Sequence, residues 1–327
     1  MSAGYRRFVV LKAASGLDQG NLLGPMLGPD FEVRDFDRAQ PLIEQVRDVD
    51  ALILRDVPVP AAVIDAAPRL RLLQRYGQHI TGVDIAYART RGIHVARIPP
   101  NATGSDRQVA EHALFLLLAV AKNYREAQRS IANQRVGWPK TLALKGKTLG
   151  LVGVGNTGQE FAQLATAIGM KVIGVKLTPD DALMARVGMS WLRDMGALDE
   201  LLGAADVVSI HLPLNPSTIG FFDTHCFLAM KPGAILINIA RGPIIDRAAL
   251  YVALTSGRLT GAGLDVVWDE PIDPADPLLA LDNVIVTPHI AAQSYETQQV
   301  LAELVAENLR RVARGERPHF FVDAVAV

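Results

Sequence analysis

The chain is poor in the residues that crosslink, bind metals or anchor in membranes. One cysteine, Cys226, stands among 327 residues, so no disulfide forms within the chain and a reducing cytoplasm is the expected setting. It sits in THCFLAM with no glycine-rich turn around it, which argues against a catalytic thiol. The histidines (79, 94, 112, 211, 225, 289 and 319) show no HxH, HxxxH or HExxH spacing, so no metal site is expected. No GxSxG elbow appears, which speaks against serine hydrolysis. Charge of one sign is not in excess. The formal net charge is -1, so no general attraction to nucleic acid or anionic lipid is expected. The longest pure apolar run of the helical region, ALFLLLAVA at 113–121, falls well short of the roughly 20 residues that span a bilayer, and reads as a buried helix. The opening MSAGYRRFVV lacks the long apolar core of a secretion signal.

What is present is core-forming material. Half of the residues are hydrophobic and a fifth charged, enough for two domains with sizeable cores. Short apolar runs alternate with helical stretches over the first hundred residues: RRFVVLK, ALILRD, LRLLQRYG and GIHVARIP. A long helix is expected from about Asp106 to Ile131, capped by Ser105 or Asp106. After the polar break NQRVGWPKTLALKGK the rhythm restarts through KTLGLVGV, MKVIGV, ADVVSIHLP, AILINIA, LTGAGLDVV and NVIVTPH. This βα alternation predicts an α/β architecture of two doubly wound parallel-sheet domains. A last helix, ETQQVLAELVAENLRRVARG, would return to the first domain, so that two long helices form a hinge beside a cleft.

Gly153, Gly155 and Gly158 follow a strand-like run and open a helical one. In that context the first glycine permits the tight turn, the second lets backbone approach a pyrophosphate, and the third lets helix pack on strand. An acid accepting from the adenine ribose would be expected at the end of the next strand, but VIGVKLTP offers Lys176. A lysine cannot accept those hydrogen bonds and attracts a 2′-phosphate, which favours NADP over NAD. The alternative is a solvated Lys176, with Asp180 or Asp181 reaching back to the ribose.

Three further polar residues fall at expected strand ends, where such sheets bind ligands: Arg241 in INIARGPIID, Glu270 in LDVVWDEP and His289 in VIVTPHIAA. A guanidinium fork suits a carboxylate, a histidine exchanges protons near neutral pH, and a carboxylate beside it fixes its tautomer. Together they suit binding and reduction of a 2-oxo acid. Singly, each is as easily structural, and periodicity does not say that the three meet.

The motifs VAEHAL (109–114), LKGKTLGLVGVGNTG (144–158), ADVVSIHLPLNPST (205–218), MKPGAILINIARGPIID (230–246), GAGLDVVWDEP (261–271) and DNVIVTPHIA (282–291) resemble those of the D-isomer-specific 2-hydroxyacid dehydrogenases. The resemblance runs over nearly the whole chain. It implies a Rossmann cofactor domain, 104–292, inserted into a flavodoxin-like substrate domain formed by 1–103 and 293–327, with the active site in the interdomain cleft. It implies that Arg241 binds the substrate's carboxylate and carbonyl oxygen, that His289 gives or takes the proton, and that Glu270 orients and charges His289. It places Asn156 and Thr157 on the pyrophosphate with the glycine turn, and Lys176 near the adenosine ribose. It lines the nucleotide pocket with Leu212, Pro213, Thr218, Ala240 and Ala291, and sets Ile239 and Asp265 on the nicotinamide carboxamide. Members are usually homodimers joined through the cofactor domain, some lending a tryptophan to the partner's site, and Trp138 sits where such a residue would be.

Substrate contacts are expected from Arg55, Gly77, Gln78 and His79. In RYGQHITGVD the family often has a Gly-x-Gly pair, and here His79 stands where the second glycine often falls. Arg55 and Arg75 would suit a substrate phosphate or form a solvated rim. The favoured substrate is a small unphosphorylated 2-oxo acid such as glyoxylate or hydroxypyruvate. Alternatives are a short-form phosphoglycerate dehydrogenase, a dinucleotide-sensing corepressor, and formate or phosphite oxidation.

Overall fold

A computed structural model describes residues 6–13, 22–54, 57–75, 80 and 82–322. The chain divides into two compact units, one formed by Met1–Ser105 with Gln293–Val327 and the other by Asp106–Ala292.

The first unit holds a five-stranded parallel sheet of β1 (Phe8–Ala13), β2 (Phe31–Asp35), β3 (Ala51–Leu54), β4 (Leu72–Arg75) and β5 (His94–Arg97). Its order is β2-β1-β3-β4-β5, the flavodoxin-like arrangement. The three inner strands are almost wholly buried, which explains why they read as unbroken apolar runs. The C-terminal helix Tyr295–Ala313 lays Leu301, Val305, Ala306, Leu309 and Val312 on Val10, Ala51, Ile53, Leu72 and Ala96. One polar contact threads this interface. Asn308, fully buried, donates to Gln74 Oε1 on β4 (2.8 Å) and accepts from the His319 N–H (2.6 Å).

The second unit holds seven parallel strands: β6 (Thr148–Val152), β7 (Lys171–Val175), β8 (Trp191–Arg193), β9 (Val207–Ile210), β10 (Ala234–Asn238), β11 (Leu259–Leu264) and β12 (Val284–Val286). Their order, β12-β11-β10-β9-β6-β7-β8, reverses direction between β6 and β9. This is the doubly wound dinucleotide-binding topology with one added strand. Strands β2 and β8 have no counterpart in the sequence reading. Both lie at sheet edges. In β2 two of the five residues are Glu32 and Arg34, which pair with each other at 2.7 Å.

The helix expected over 106–131 is two helices, Ser105–Ala121 and Tyr124–Ala132. The break falls at Asn123, whose φ of 48° lies in the left-handed region that asparagine tolerates, and whose Nδ2 donates to Lys140 O at 2.6 Å. Arg125 then donates to the carbonyls of Leu279, Leu281 and Val284, fixing the second helix beside the start of β12. Ser105 opens the first helix rather than capping it, directly after Gly104 ends the short helix Pro100–Thr103. The run 113–121 lies in the first of these helices, with Ala113, Leu116, Leu117, Val120 and Ala121 in the core of the second unit. Among the described residues no helix is long and apolar enough to cross a membrane.

Replacing Asn308 by alanine strands a buried amide oxygen and a backbone N–H. A loss of about 1–3 kcal/mol is expected, read as a lower urea midpoint. An unchanged midpoint would show that the contact carries no stability.

Candidate active site

Every candidate of the second unit lies just past the C-terminal end of a strand. After β6 comes the glycine turn. Gly153 has φ +91°, and a Cβ there would sit 2.8 Å from the His211 carbonyl oxygen. A Cβ on Gly158 would sit 2.9 Å from Gly153 O, so helix and turn close on each other only without side chains. Gly155 differs: a Cβ there meets nothing within 4 Å. It faces open space at the start of the helix Asn156–Ala167, whose N-terminus has no side-chain cap. Uncapped N–H groups, a positive dipole end and an open approach suit a pyrophosphate, so the residues present fit a dinucleotide. The Thr157 hydroxyl is already engaged, donating to Asp106 Oδ1 at 2.8 Å.

After β9, the Leu212 side chain lies against the turn, 3.2 Å from the position of a Cβ on Gly153. The Thr218 hydroxyl donates to Pro213 O (2.7 Å) and accepts from Asn215 N (2.9 Å), closing the loop that carries Leu212 and Pro213. At the end of β7 the half-buried Lys176 donates its N–H to Arg193 O at 3.0 Å. Asp180 does not reach back. Its carboxylate accepts from Ala182 N and Leu183 N as the N-cap of the helix Asp181–Val187.

Arg241, Glu270 and His289 follow β10, β11 and β12, three consecutive neighbours in the sheet. His289 Nδ1 and Glu270 Oε2 are 2.7 Å apart, and Glu270 Oε1 accepts from Val267 N at 3.3 Å. Burial alone would raise the Glu270 carboxyl; the His289 hydrogen bond and charge, the Val267 N–H and the positive field of Arg241 outweigh it and hold the group below its ordinary value. Arg241 thus acts electrostatically on the same carboxylate that pairs with His289.

The sequence pattern that defines the NAD binding domain of the D-isomer specific 2-hydroxyacid dehydrogenases matches residues 114–291. The chain belongs to that family. It is therefore an NAD(P)-dependent oxidoreductase of 2-oxo and 2-hydroxy acids. A glyoxylate reductase of Korarchaeum cryptofilum is 38% identical over 293 residues, 88% of this chain and 86% of that protein. A D-3-phosphoglycerate dehydrogenase of Archaeoglobus fulgidus is 36% identical over 293 residues, and the chain spans 54% of its length. A crystal structure from Thermus thermophilus superposes with a TM-score of 0.85 at 36% identity, covering 97% of this chain and all of that one.

Asp265 of this dehydrogenase is 1% exposed. Its Oδ1 accepts from Thr287 Oγ1 (2.6 Å) and Ile290 N (2.9 Å), and its Oδ2 from Ala291 N (2.9 Å). Burial would raise its carboxyl, but the hydrogen bonds from His112, Thr287, Ala291 and Ile290 prevail and hold it below the ordinary value. The ionised form is thus favoured by the fold. Its contribution to stability is complete above the ordinary carboxylate range and is lost as pH falls through the lowered value. Ile239 and Ala240 are buried, and Ala240 is fully engaged: its N–H donates to Asn238 Oδ1 (3.0 Å) and its carbonyl accepts from Arg241 Nη1 (2.6 Å). Cys226 is buried in the core, and burial pushes its thiol up to about 11. Arg55, Gly77, Gln78 and His79 lie outside the described residues; in sequence they fall just after β3 and β4.

Two residues organise this edge without having been singled out in the sequence. Buried Asn238, the last residue of β10, donates to Arg241 O (3.1 Å) and accepts from Ala240 N, shaping the turn that presents Arg241. Gly242 lets that turn lie directly on the β11 loop, because a Cβ there would sit 2.1 Å from the Val267 carbonyl. An unusual signal was available for neither: a buried polar strand end and one more glycine are common in such sheets. Gly242→Ala forces the Arg241 and Glu270 loops apart. Turnover with 2-oxo acids is expected to fall about a hundredfold, as for misplacements near 1 Å, with dinucleotide binding retained in fluorescence titration; full turnover would show that the close approach is dispensable.

Proposed function

We propose that this dehydrogenase reduces a small unphosphorylated 2-oxo acid, glyoxylate or hydroxypyruvate, to the D-2-hydroxy acid, with Arg241, Glu270 and His289 as its catalytic residues. The observation that carries the assignment is the 2.7 Å pair of His289 Nδ1 and Glu270 Oε2 lying in the field of Arg241. Residues 104–292 serve as the dinucleotide domain, and 1–103 with 293–327 as the substrate domain. When bound at the glycine turn, the reduced dinucleotide supplies the hydride. Arg241 binds the substrate carboxylate through its planar fork and stabilises charge on the carbonyl oxygen. Because Glu270 occupies Nδ1, the working nitrogen of His289 is Nε2. As imidazolium it gives its proton to the carbonyl oxygen; in the reverse direction Nε2 accepts the hydroxyl proton. Glu270 holds the tautomer throughout. Asp265 and Ile239 hold the carboxamide end of the cofactor. Arg55, Gly77, Gln78 and His79 contact the substrate.

The similarity to a glyoxylate reductase over most of both chains supports the choice of substrate. The short-form phosphoglycerate dehydrogenase reading rests on longer relatives. NADP is favoured over NAD. Lys176 stands at the strand end where an acid would bind the ribose, and of the two alternative acids, Asp180 and Asp181, Asp180 is committed to its own helix. The cytoplasm, with one thiol held buried, is the setting.

A homodimer joined through the dinucleotide domain is supported by an exposed apolar surface on the helices Ser105–Ala121 and Tyr124–Ala132 and the segment after them. Phe115, Leu118, Ile131, Val136 and Trp138 are all exposed there.

Steady-state kinetics of NADH and NADPH against glyoxylate, hydroxypyruvate, pyruvate, phenylpyruvate and phosphohydroxypyruvate test the assignment. Higher kcat/KM with NADPH and with the two small oxo acids is expected; preference for phosphohydroxypyruvate or NADH would overturn the respective part. His289→Ala should lower kcat by about two to four orders of magnitude, and a near-normal rate would remove His289 from its role. In sedimentation, the native chain should run as a dimer and Ile131→Glu as a monomer. A native monomer at micromolar concentration would refute the assembly.

A further inference from the structure

The motif VAEHAL contributes a histidine to which the mechanism above gives no part. His112 belongs to the helix Ser105–Ala121, and its side chain is 14% exposed. Its Nε2 lies 2.9 Å from Thr287 Oγ1 and 3.2 Å from Asp265 Oδ1. The Thr287 hydroxyl has one proton, and at 2.6 Å from Asp265 Oδ1 it is best placed to donate there. Nε2 of His112 must then carry a proton, which it donates to the Thr287 oxygen and the Asp265 carboxylate. The imidazole thereby completes a three-membered clamp of helix, strand-end carboxylate and threonine.

The clamp is attached to the one strained backbone position of the site. His289 has φ +55°, in the left-handed region that residues with a Cβ rarely occupy. It is held there by short-range bonds: its N–H donates to Asp265 O (2.8 Å) and to Thr287 O (3.0 Å), while Ile290 N and Ala291 N donate to the Asp265 carboxylate. Each bond runs to Asp265 or Thr287, the two residues that His112 joins.

We propose that His112 is a positioning residue: by bridging Thr287 and Asp265 it locks the segment Thr287–Ala291, and through it the orientation of the His289 ring toward Glu270. This deepens the catalytic assignment and rests on it for its effect on turnover, but the clamp itself is measurable without turnover. Asp265 keeps its bonds from Ile290 N and Ala291 N without His112, so the loss should fall on kcat more than on dinucleotide binding.

The test compares His112→Leu, which keeps bulk and loses the donor, with His112→Gln, whose amide nitrogen stands close to the place of Nε2. Thr287→Val cuts the same clamp from the other side and serves if the leucine variant fails to fold. The His289 ring signal is assigned in proton NMR spectra by its loss in His289→Ala. It is expected to shift or broaden in His112→Leu and in Thr287→Val, and to return in His112→Gln. In turnover, the leucine variant should lose about tenfold to a hundredfold in kcat with little change in the KM for dinucleotide, and the glutamine variant should recover most of it. An unmoved His289 signal in both disrupting variants overturns the proposal. So does a glutamine variant as perturbed as the leucine one, since the imidazole would then act by shape alone. If no 2-oxo acid is turned over by the native protein, the catalytic assignment fails while the NMR comparison still decides the clamp.

Discussion

The place of His289 is decided by a carboxylate that never sees solvent. An ionised Asp265 at 1% exposure would be prohibitively costly without partners. Of its donors, Thr287 Oγ1, Ile290 N and Ala291 N come from one five-residue stretch, and His112 Nε2 adds a fourth from the helix Ser105–Ala121. Satisfying the anion and folding that stretch are therefore a single event. The left-handed turn at His289 costs roughly 1–2 kcal/mol, less than the hydrogen bonds to a charged acceptor return at about 1.5–3 kcal/mol each. The strain is thus held with a margin, and the His289 backbone is fixed by the fold itself.

Parallel topology brings the ends of β10, β11 and β12 to one edge, with neighbouring strands about 4.8 Å apart. That spacing does not by itself bring the loops beyond them into contact. Contact here depends on Gly242 lying against the Val267–Trp268 backbone, and on Trp268 Nε1 donating to Ile245 O at 2.6 Å from the other side. Asn238 sets the direction in which Arg241 leaves its strand. The meeting of these loops is therefore a consequence of backbone packing. The Arg241 and Glu270 loops approach this closely because no Cβ stands between them at Gly242.

Much of this was legible in the residues, for physical reasons. Inner parallel strands are buried on both faces and announce themselves as apolar runs, which is why β1, β3, β4, β6, β7 and β9 to β11 were readable, while the edge strands β5 and β12 were read from the short runs GIHVARIP and NVIVTPH. Edge strands are not so constrained: β2 carries a Glu32–Arg34 pair and β8 has three residues, so neither gave a run. The single expected helix broke at Asn123 because one side chain found a carbonyl in a distant loop, a contact absent from any helical periodicity. Arg241, Glu270 and His289 were visible as polar residues after strands, but their proximity was not, because it depends on strand order. Asn238, Gly242 and His112 escaped notice because their roles are hydrogen bonds and clearances with residues far away in sequence.

The end of β7 poses a question of the same kind, in which a local bond limits a distant choice. An acid near Lys176 would favour the two free ribose hydroxyls of NAD, and Asp180 is in the right stretch. Yet Asp180 Oδ1 accepts two helix N–H groups at 2.9 and 3.3 Å, and its charge is stabilised by the positive end of the helix it caps. Releasing it toward a ribose would forfeit a cap contributing about 1 kcal/mol. Lys176 uses its backbone N–H at the sheet edge, donating to Arg193 O. The route to a 2′-phosphate requires only a flexible side chain to turn, whereas the route to a bare ribose through Asp180 requires a helix to give up its first hydrogen bonds. That asymmetry weighs against Asp180 as a ribose ligand.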